Sequence, residues 1–298
     1  MDGLQMRAEM AEQPRVLADL AARRASIVAS IRAAVPDDLA GIVLIGRGSS
    51  DNAAIFARYA FEIARGRPVA LAAPSLHTLY GARSDYRGYL AIAVSQSGRT
   101  PEIVSVLEAA ARAGATTVAI PAEALGAPPW GDADWDRLPG VVGEVVAHDA
   151  PADACAAAIG DAPGLITVAR GFLFPVALEA ALKLKEAALL LAEGYSAADL
   201  LHGPVAVVEH GFPVLAFVAD GPARASMEDL VRDLRGRGAR TSVVGPAGAD
   251  LPVPGGLAEG LATIPAAVRA QQVARSLALV RGLDPDAPRG LSKVTMTR

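Results

Sequence analysis

Two stretches of this chain, 123 residues apart, carry one pattern twice. GIVLIGRGSSDNAAIFARYAFE, from Gly41, and GLITVARGFLFPVALEAALKLKE, from Gly164, each pass from an apolar run through an Arg-Gly turn into a helical period, with Arg47-Gly48 answering to Arg170-Gly171. A second pair, YLAIAVSQSGRTPEIVSVLEAAARAGATTVAI and FPVLAFVADGPARASMEDLVRDLRGRGARTSVVG, matches at an offset of 124 residues, Val94 to Val218 and Gly114 to Gly238. A chain that repeats a supersecondary unit in this way is expected to build one architecture twice. The runs of Ile, Val and Leu do not alternate with polar residues, so each strand has to be covered on both faces, which is the property of parallel sheets.

The expected fold is therefore α/β, two doubly wound parallel-sheet domains with flanking helices, each half running strand, helix, strand, helix, strand. The predicted boundaries are a helical lead-in at 1–35, a first domain at 36–150, a second at 151–285 and a tail reaching the active site at 286–298. Segment 121–163, rich in Pro, Gly and Asp, reads as the connection between the domains, and 246–262 as a second loop-like stretch.

Composition narrows the partners. The 28 basic and 32 acidic residues nearly balance, and no basic tract exceeds Arg23-Arg24, so neither nucleic acid nor an anionic membrane surface is expected. A small molecule or a protein partner fits better. Cys155 is the sole cysteine, which excludes an intrachain disulfide and the spacing of a structural zinc site, and a reducing cytoplasm is the expected setting. The first residues lack the continuous apolar stretch of a signal peptide, and no run is long enough to span a bilayer.

The turn after the apolar run at 89–94, AVSQSGRTPE, is densely polar. Ligands of open parallel sheets sit beyond the carboxyl ends of the strands, where helix N-termini favour anions. Ser95, Ser97 and Thr100 offer hydroxyls, Gln96 an amide, and Gly98 lets backbone approach closely, together a cradle for a phosphate monoester. A helix N-cap accounts for one hydroxyl, with Glu102 in the first turn, but not for four polar groups in six residues. The turn GRGSSDN, with Ser49 and Ser50, is a second of the same kind.

SQSGRT, ALEAALKLKEAALLLAEGYSAADLLHGP and the terminal RGLSKVTMT, in this order, resemble the sugar isomerase (SIS) domain family, in particular the double-SIS isomerase half of glutamine:fructose-6-phosphate amidotransferase. EMAEQPRVL near the N-terminus is similar to the Glu-Gln-Pro helix of the same proteins. The resemblance implies that Ser95, Gln96, Ser97 and Thr100 hold a sugar phosphate, with Ser50 contributing.

The stretch 176–193 reads as a helix on which Glu179, Lys183 and Glu186 fall within about 60° of one another while Lys185 points away. The flanking Ala and Leu residues bury most of this helix, so these charges need a reason beyond a surface ion-pair ladder. An aldose–ketose conversion needs a base that carries a proton between C1 and C2. The resemblance implies that Glu186 is this base, with Lys183 beside it. It implies further that His202, in HGP, opens the sugar ring and is supplied to the neighbouring subunit, hence a homodimer with a shared site. Lys293 would form an imine with the open-chain sugar and Ser292 give a backbone contact. His77, His148 and His210 are scattered, so no metal is expected, and the reading calls for no cofactor.

Two departures from the family pattern shape the expected activity. No glutaminase half with its nucleophilic cysteine is present in this sequence, so ammonia is not expected to come from glutamine. The reading is instead similar to stand-alone glucosamine-6-phosphate deaminases, which make fructose-6-phosphate and ammonia. The connection at 121–163 is shorter than the family's and leaves part of the sugar pocket unmatched. An isomerase or deglycase for another 6-phosphorylated sugar, and a non-catalytic phosphosugar sensor, stay as alternatives.

Overall fold

In the computed structural model, which describes residues 3–35, 38–96, 98, 100–120 and 130–291, the chain divides into two compact units. One comprises residues 1–18 and 130–290, the other 19–129 and 291–298. Helix α1 (Leu4–Ala34) belongs in part to each.

The second of these units is built on four parallel strands, β1 (Gly41–Ile45), β2 (Val69–Leu71), β3 (Tyr89–Val94) and β4 (Thr116–Ile120), in the order β2-β1-β3-β4. Helices α2 (Ser49–Arg65), α3 (Pro74–Thr78) and α4 (Pro101–Arg112) make the crossovers. β1 is buried throughout and β3 at every residue but the first. Both faces of these strands are covered, as their unbroken apolar runs require. Ile42 and Leu44 pack with Ala54 and Ala57 of α2 on one side. Ile45 and Ala93 pack with Ile103 and Val106 of α4 on the other. α4 opens with Pro101, whose missing N–H is no loss at a helix start.

The unit that holds residues 130–290 begins with α5 (Asp132–Val146) and α6 (Ala150–Ile159) and then repeats the first pattern. β5 (Gly164–Ala169), α7 (Phe174–Ala188), β6 (Leu191–Ser196), α8 (Ala197–Leu201), β7 (Pro213–Phe217), α9 (Arg224–Gly236) and β8 (Arg240–Gly245) follow, with β9 (Leu251–Pro252) added at the edge. The parallel order β6-β5-β7-β8-β9 matches β2-β1-β3-β4 strand for strand, apart from that extra edge. Ile166 and Val168 of β5 pack with α8 and α9 through Ala197, Leu200, Met227 and Leu230. Thr167, between them, faces the opposite way, and its hydroxyl donates to the Ala177 carbonyl of α7 at 2.6 Å. α7 and α8 therefore lie on opposite faces of this sheet.

Helix α10 (Glu259–Val280) is buried on nearly all sides, and its buried residues include Arg269, Gln272, Arg275 and Ser276. Buried polar groups need partners, and these side chains have them, although the Arg269 Nε–H itself is left without one. Arg269 donates to the carbonyls of His148 at 2.6 Å and Pro252 at 2.8 Å. Gln272 donates to the Val145 carbonyl at 2.9 Å and the Asp149 carboxylate at 2.6 Å, and Ser276 to Asp153 at 2.6 Å. The carbonyls left over where α5 ends are thus satisfied by side chains of α10.

The two-sheet α/β architecture expected from the sequence is present, with three differences in detail. Each half has an additional edge strand and short helix, β2 with α3 and β6 with α8. β2 is only three residues long, and β6, LAEGYS, mixes Glu, Gly and Ser with its apolar residues and fully buries only Ala192, so neither reads as an apolar run. The helix expected over 176–193 ends at Ala188. Leu189 takes the left-handed conformation (φ 51°), and the chain turns at once into β6, whose six residues pair with β5. The stretch read as a connection carries α5 and α6 over much of its length, despite Pro139 and the Pro at the start of α6. Among the described residues no helix is long and apolar enough to cross a membrane.

Strand β6 and helix α7 approach so closely that Gly194 has no room for a side chain. A Cβ there would lie 2.9 Å from Leu178 Cα and 3.0 Å from the Ala177 carbonyl oxygen. Gly194→Ala should destabilise the protein by about 1–3 kcal/mol, as overpacking does, and lower the melting temperature in calorimetry. Gly236→Ala, at the end of α9 with nothing within 4 Å of the new carbon, should leave stability unchanged or raise it by about 0.4–1 kcal/mol. Equal melting temperatures for the two variants would show that β6 does not sit against α7 in this way.

Candidate functional site

β1 and β3 are neighbours in register, Ile45 opposite Ala93, so the turns that follow them lie side by side at the carboxyl edge of the first sheet. The first turn holds Arg47 and Gly48, the latter at φ 58°, and opens α2 with Ser49 and Ser50. The N–H groups of Asp51 and Asn52 bond to the Gly48 carbonyl at 2.9 and 3.2 Å. In the second turn the Ser95 hydroxyl accepts from the Gly98 N–H at 3.0 Å, which ties these two residues together and leaves the hydroxyl proton to donate. Thr100 occupies the N-cap position of α4, yet its side chain makes no cap hydrogen bond. Capping therefore does not use the Thr100 hydroxyl, and Gln96 is exposed. Ser49, Ser50, Ser95, Gln96 and Thr100 are thus carried on adjoining turns. Ser97 lies outside the described residues.

Sequence reasoning did not find the contact that ties these turns together. Arg47 grips Glu102 through Nε at 3.0 Å and Nη2 at 3.1 Å, and the Glu102 side chain is only 10% exposed. The hydrogen bonds that Arg47 donates to Glu102 raise its pKa above the ordinary value, against the effect of burial. Asp51, in the first turn of α2, has its carboxyl pKa raised by burial and lowered in part by Arg47. Two acids thus stand in the first turns of α2 and α4, and Arg47 offsets their charge. The available signal was the duplication itself, which marked Arg47 together with Arg170.

The other expected cluster forms on α7. Lys183 Nζ lies 2.5 Å from Glu186 Oε2 and 3.5 Å from Glu179 Oε1, and the three side chains are 16–29% exposed. Burial works against the charged form of Lys183, but the two carboxylates outweigh it and raise its pKa, so the ammonium persists through neutral pH. Lys185 is exposed, as the 100° step requires. The buried side of α7, including Ala177, Ala180, Ala181 and Leu184, and the Thr167 bond hold the helix in place.

His202 is exposed at the C-cap of α8, its N–H shared between the carbonyls of Ala198 and Asp199, each at 3.2 Å. α7 and α8 flank opposite faces of the sheet, so His202 and Glu186 are carried on different sides of it. Ser292 and Lys293 lie outside the described residues. No group of three or more His, Cys, Asp or Glu side chains among the described residues is placed to hold a metal ion.

The Arg47–Glu102 bridge can be measured by a double-mutant cycle. Arg47→Met, Glu102→Gln and the pair should show a coupling of about 0.5–1 kcal/mol in unfolding free energy, the value for a partly exposed pair. Additive effects of the two changes would mean that the turns are not tied.

Comparison with known proteins bears on the family and the fold. A family model described as SIS domain matches residues 159–245, the stretch from β5 through β8. The glutamine–fructose-6-phosphate aminotransferase (isomerizing) of Methanothermobacter thermautotrophicus is 29% identical over 306 residues, covering 85% of this chain and 51% of that protein. The enzyme of that name from Mycolicibacterium paratuberculosis is 36% identical over 172 residues, 53% of this chain and 27% of the relative. The chain spans about half the length of the first of these relatives. A crystal structure from Silicibacter pomeroyi DSS-3, provisionally described as a phosphosugar isomerase, superimposes with a TM-score of 0.78 at 32% identity, covering 94% of this chain and 99% of that one. The glucosamine-6-phosphate deaminase of Thermotoga maritima shares the fold, with a TM-score of 0.70 at 22% identity over 98% of this chain and 100% of the other. With a family model seated on the repeated strand–helix unit and a 32%-identical structure matched end to end, the chain belongs to the SIS-domain family.

Proposed function

We propose that the chain is a two-SIS phosphosugar isomerase of the deaminase type, which converts glucosamine-6-phosphate into fructose-6-phosphate and ammonia. The observation that carries this reading is Lys183 wedged between Glu179 and Glu186 on a helix otherwise committed to the core. A sensor needs a phosphate cradle but has no use for a partly desolvated base. Residues 36–150 and 151–285 are proposed as the two SIS domains, after a lead-in at 1–35 and before a tail at 286–298. The matching strand orders support the first as a counterpart of the second.

In this reading Ser95, Gln96, Ser97 and Thr100, with Ser49 and Ser50, hold the phosphate where the first turns of α2 and α4 present N–H groups. His202 opens the ring. Glu186 takes the C2 hydrogen as a proton, and the electron pair left behind forms a C1–C2 double bond as the C1 carbonyl becomes a hydroxyl. Return of the proton to C1 gives an imine at C2, and water replaces its nitrogen, which releases ammonia and leaves the ketone. Lys183 keeps the Glu186 carboxylate oriented, Lys293 exchanges with the nitrogen of the C2 imine as ammonia leaves and is itself freed when water adds to give the ketone, and Ser292 adds a backbone contact. No cofactor is required, and the reaction belongs in a reducing cytoplasm.

A homodimer follows from His202 being supplied by a second copy. Leu191, Leu201 and Val207, which are 69%, 54% and 56% exposed on β6, α8 and the turn after His202, support this as apolar surface for a subunit contact. The Silicibacter pomeroyi neighbour favours a second reading, isomerisation of another 6-phosphorylated sugar without loss of nitrogen.

Incubation with a panel of sugar and amino sugar 6-phosphates, followed by assays for ammonia and keto sugar, tests the reaction. Glucosamine-6-phosphate should yield both products. Glu186→Gln should keep phosphosugar binding and lose about 10²- to 10⁴-fold in rate. Near wild-type turnover by Glu186→Gln excludes the mechanism, and a wild type that binds these sugars but transforms none excludes the enzyme. Mixing His202→Ala with Glu186→Gln subunits should restore activity through hybrid dimers, and inert mixtures after proven subunit exchange would refute the shared site.

A further inference from the structure

The duplication sets two glycine turns against two others. Gly48 and Gly171 each begin the crossover after the first strand of their repeat, at φ 58° and 62°. Gly98 and Gly221 each stand three residues ahead of the next helix, α4 at Pro101 and α9 at Arg224. All four are at the carboxyl edge of their own sheet, the position at which such sheets take ligands.

The two edges differ in what fills them. In the first sheet, no described residue lies within 4 Å of a Cβ built on Gly48 or on Gly98. In the second, the Glu259 carboxylate is clasped by both glycines. A Cβ on Gly171 would come within 3.1 Å of Glu259 Oε1, and one on Gly221 within 2.6 Å of Oε2. The absence of side chains at 171 and 221 is what admits this carboxylate.

The N-terminus of α10 favours an acid at Glu259 but does not by itself aim the carboxylate at Gly171 and Gly221. Glu259 stands in the first turn of α10, which is hydrogen-bonded elsewhere along its length, and its carboxylate makes no hydrogen bond or ion pair among the described residues. Burial raises its pKa with no compensating partner. The second edge also keeps cationic groups: Arg170 in the turn that duplicates Arg47, and Arg224 at the start of α9, bonded to Asp220 and Glu228. The hydroxyls of the first edge are missing there, since ADGPA stands at 219–223 where the first repeat has QSGRT.

We infer that Glu259 is a built-in anion, a carboxylate that closes in the second repeat the oxyanion recess that stays open between Gly48 and Gly98 in the first. This rests on the proposed reading of the first recess as the phosphate site. Each chain accordingly has one sugar-phosphate site, and removal of the Glu259 side chain uncovers a second, latent site for an oxyanion such as phosphate. The recess at Gly171 and Gly221 then offers the N-terminus of α9 and the charge of Arg170, the Arg224 guanidinium being held by Asp220 and Glu228.

Inorganic phosphate is the probe, and its stoichiometry per chain is measured by equilibrium dialysis on the full-length protein. Wild type should bind one phosphate per chain, and Glu259→Ala two. Ser95→Ala with Thr100→Ala should weaken the first site only, so that the triple variant with Glu259→Ala retains the new one. Glu259→Gln fills the same space and should fold and stay at one site, which separates an opened recess from a merely loosened domain. If Glu259→Ala binds one phosphate as wild type does, the inference is overturned while the first site stands. If wild type binds none, it is the reading of the first recess that fails. A folded Glu259→Ala that still gains a site in the presence of Gly221→Val, which would refill the recess, also overturns it.

Discussion

Burial of the central strands on both faces is the constraint from which the rest follows. β1, β5 and β7 have no side that meets water, so each must be parallel to its neighbours and joined to them by a helical crossover. Crossovers of one hand return every chain segment to the same end of the sheet. All the strand-to-helix turns of a unit therefore collect at one edge, with helix N-termini facing outward. Arg47, Ser49, Ser50, Ser95 and Thr100 come near one another for this reason, although some are separated by about fifty positions in the chain.

Charges in the interior are handled by enclosure in partners. Arg269 is 2% exposed and gives its N–H groups to two backbone carbonyls and to Gln272. Such buried polar contacts contribute little net stability, but an alternative packing would leave each group unpaired, so they specify the position of α10 against α5 and α6. On α7 the same physics operates at a wetter boundary. Lys183 keeps its proton because Glu179 and Glu186 flank it, and the helix can carry three charges on one side because its other side is sealed by alanines and by Thr167.

The repeats show how one frame diverges in content. Arg47 and Arg170 occupy the same turn, but Arg47 closes on Glu102 while the second repeat places Arg224 between Asp220 and Glu228. The backbone geometry needed at the edge, glycine with positive φ before each first crossover helix, is retained in both. Side chains above it changed freely, since the sheet beneath is held by ladders and core contacts that do not involve them.

Much of this was legible in the chain. The parallel architecture came from apolar runs without alternation, the duplication from matched Arg-Gly turns, and the shared face of Glu179, Lys183 and Glu186 from helical periodicity, all of them local or repeated patterns. The edge strand β6 was not, because LAEGYS acquires strand geometry only by pairing with β5, and the helix before it stops at Ala188 for the same non-local reason. Arg47 with Glu102, Thr167 with Ala177, and Glu259 with Gly171 and Gly221 were likewise invisible. Periodicity says which way a side chain points from its own element. Which groups meet is decided by the parallel pairing and crossovers that bring distant turns to one edge, and only the tertiary structure contains that information.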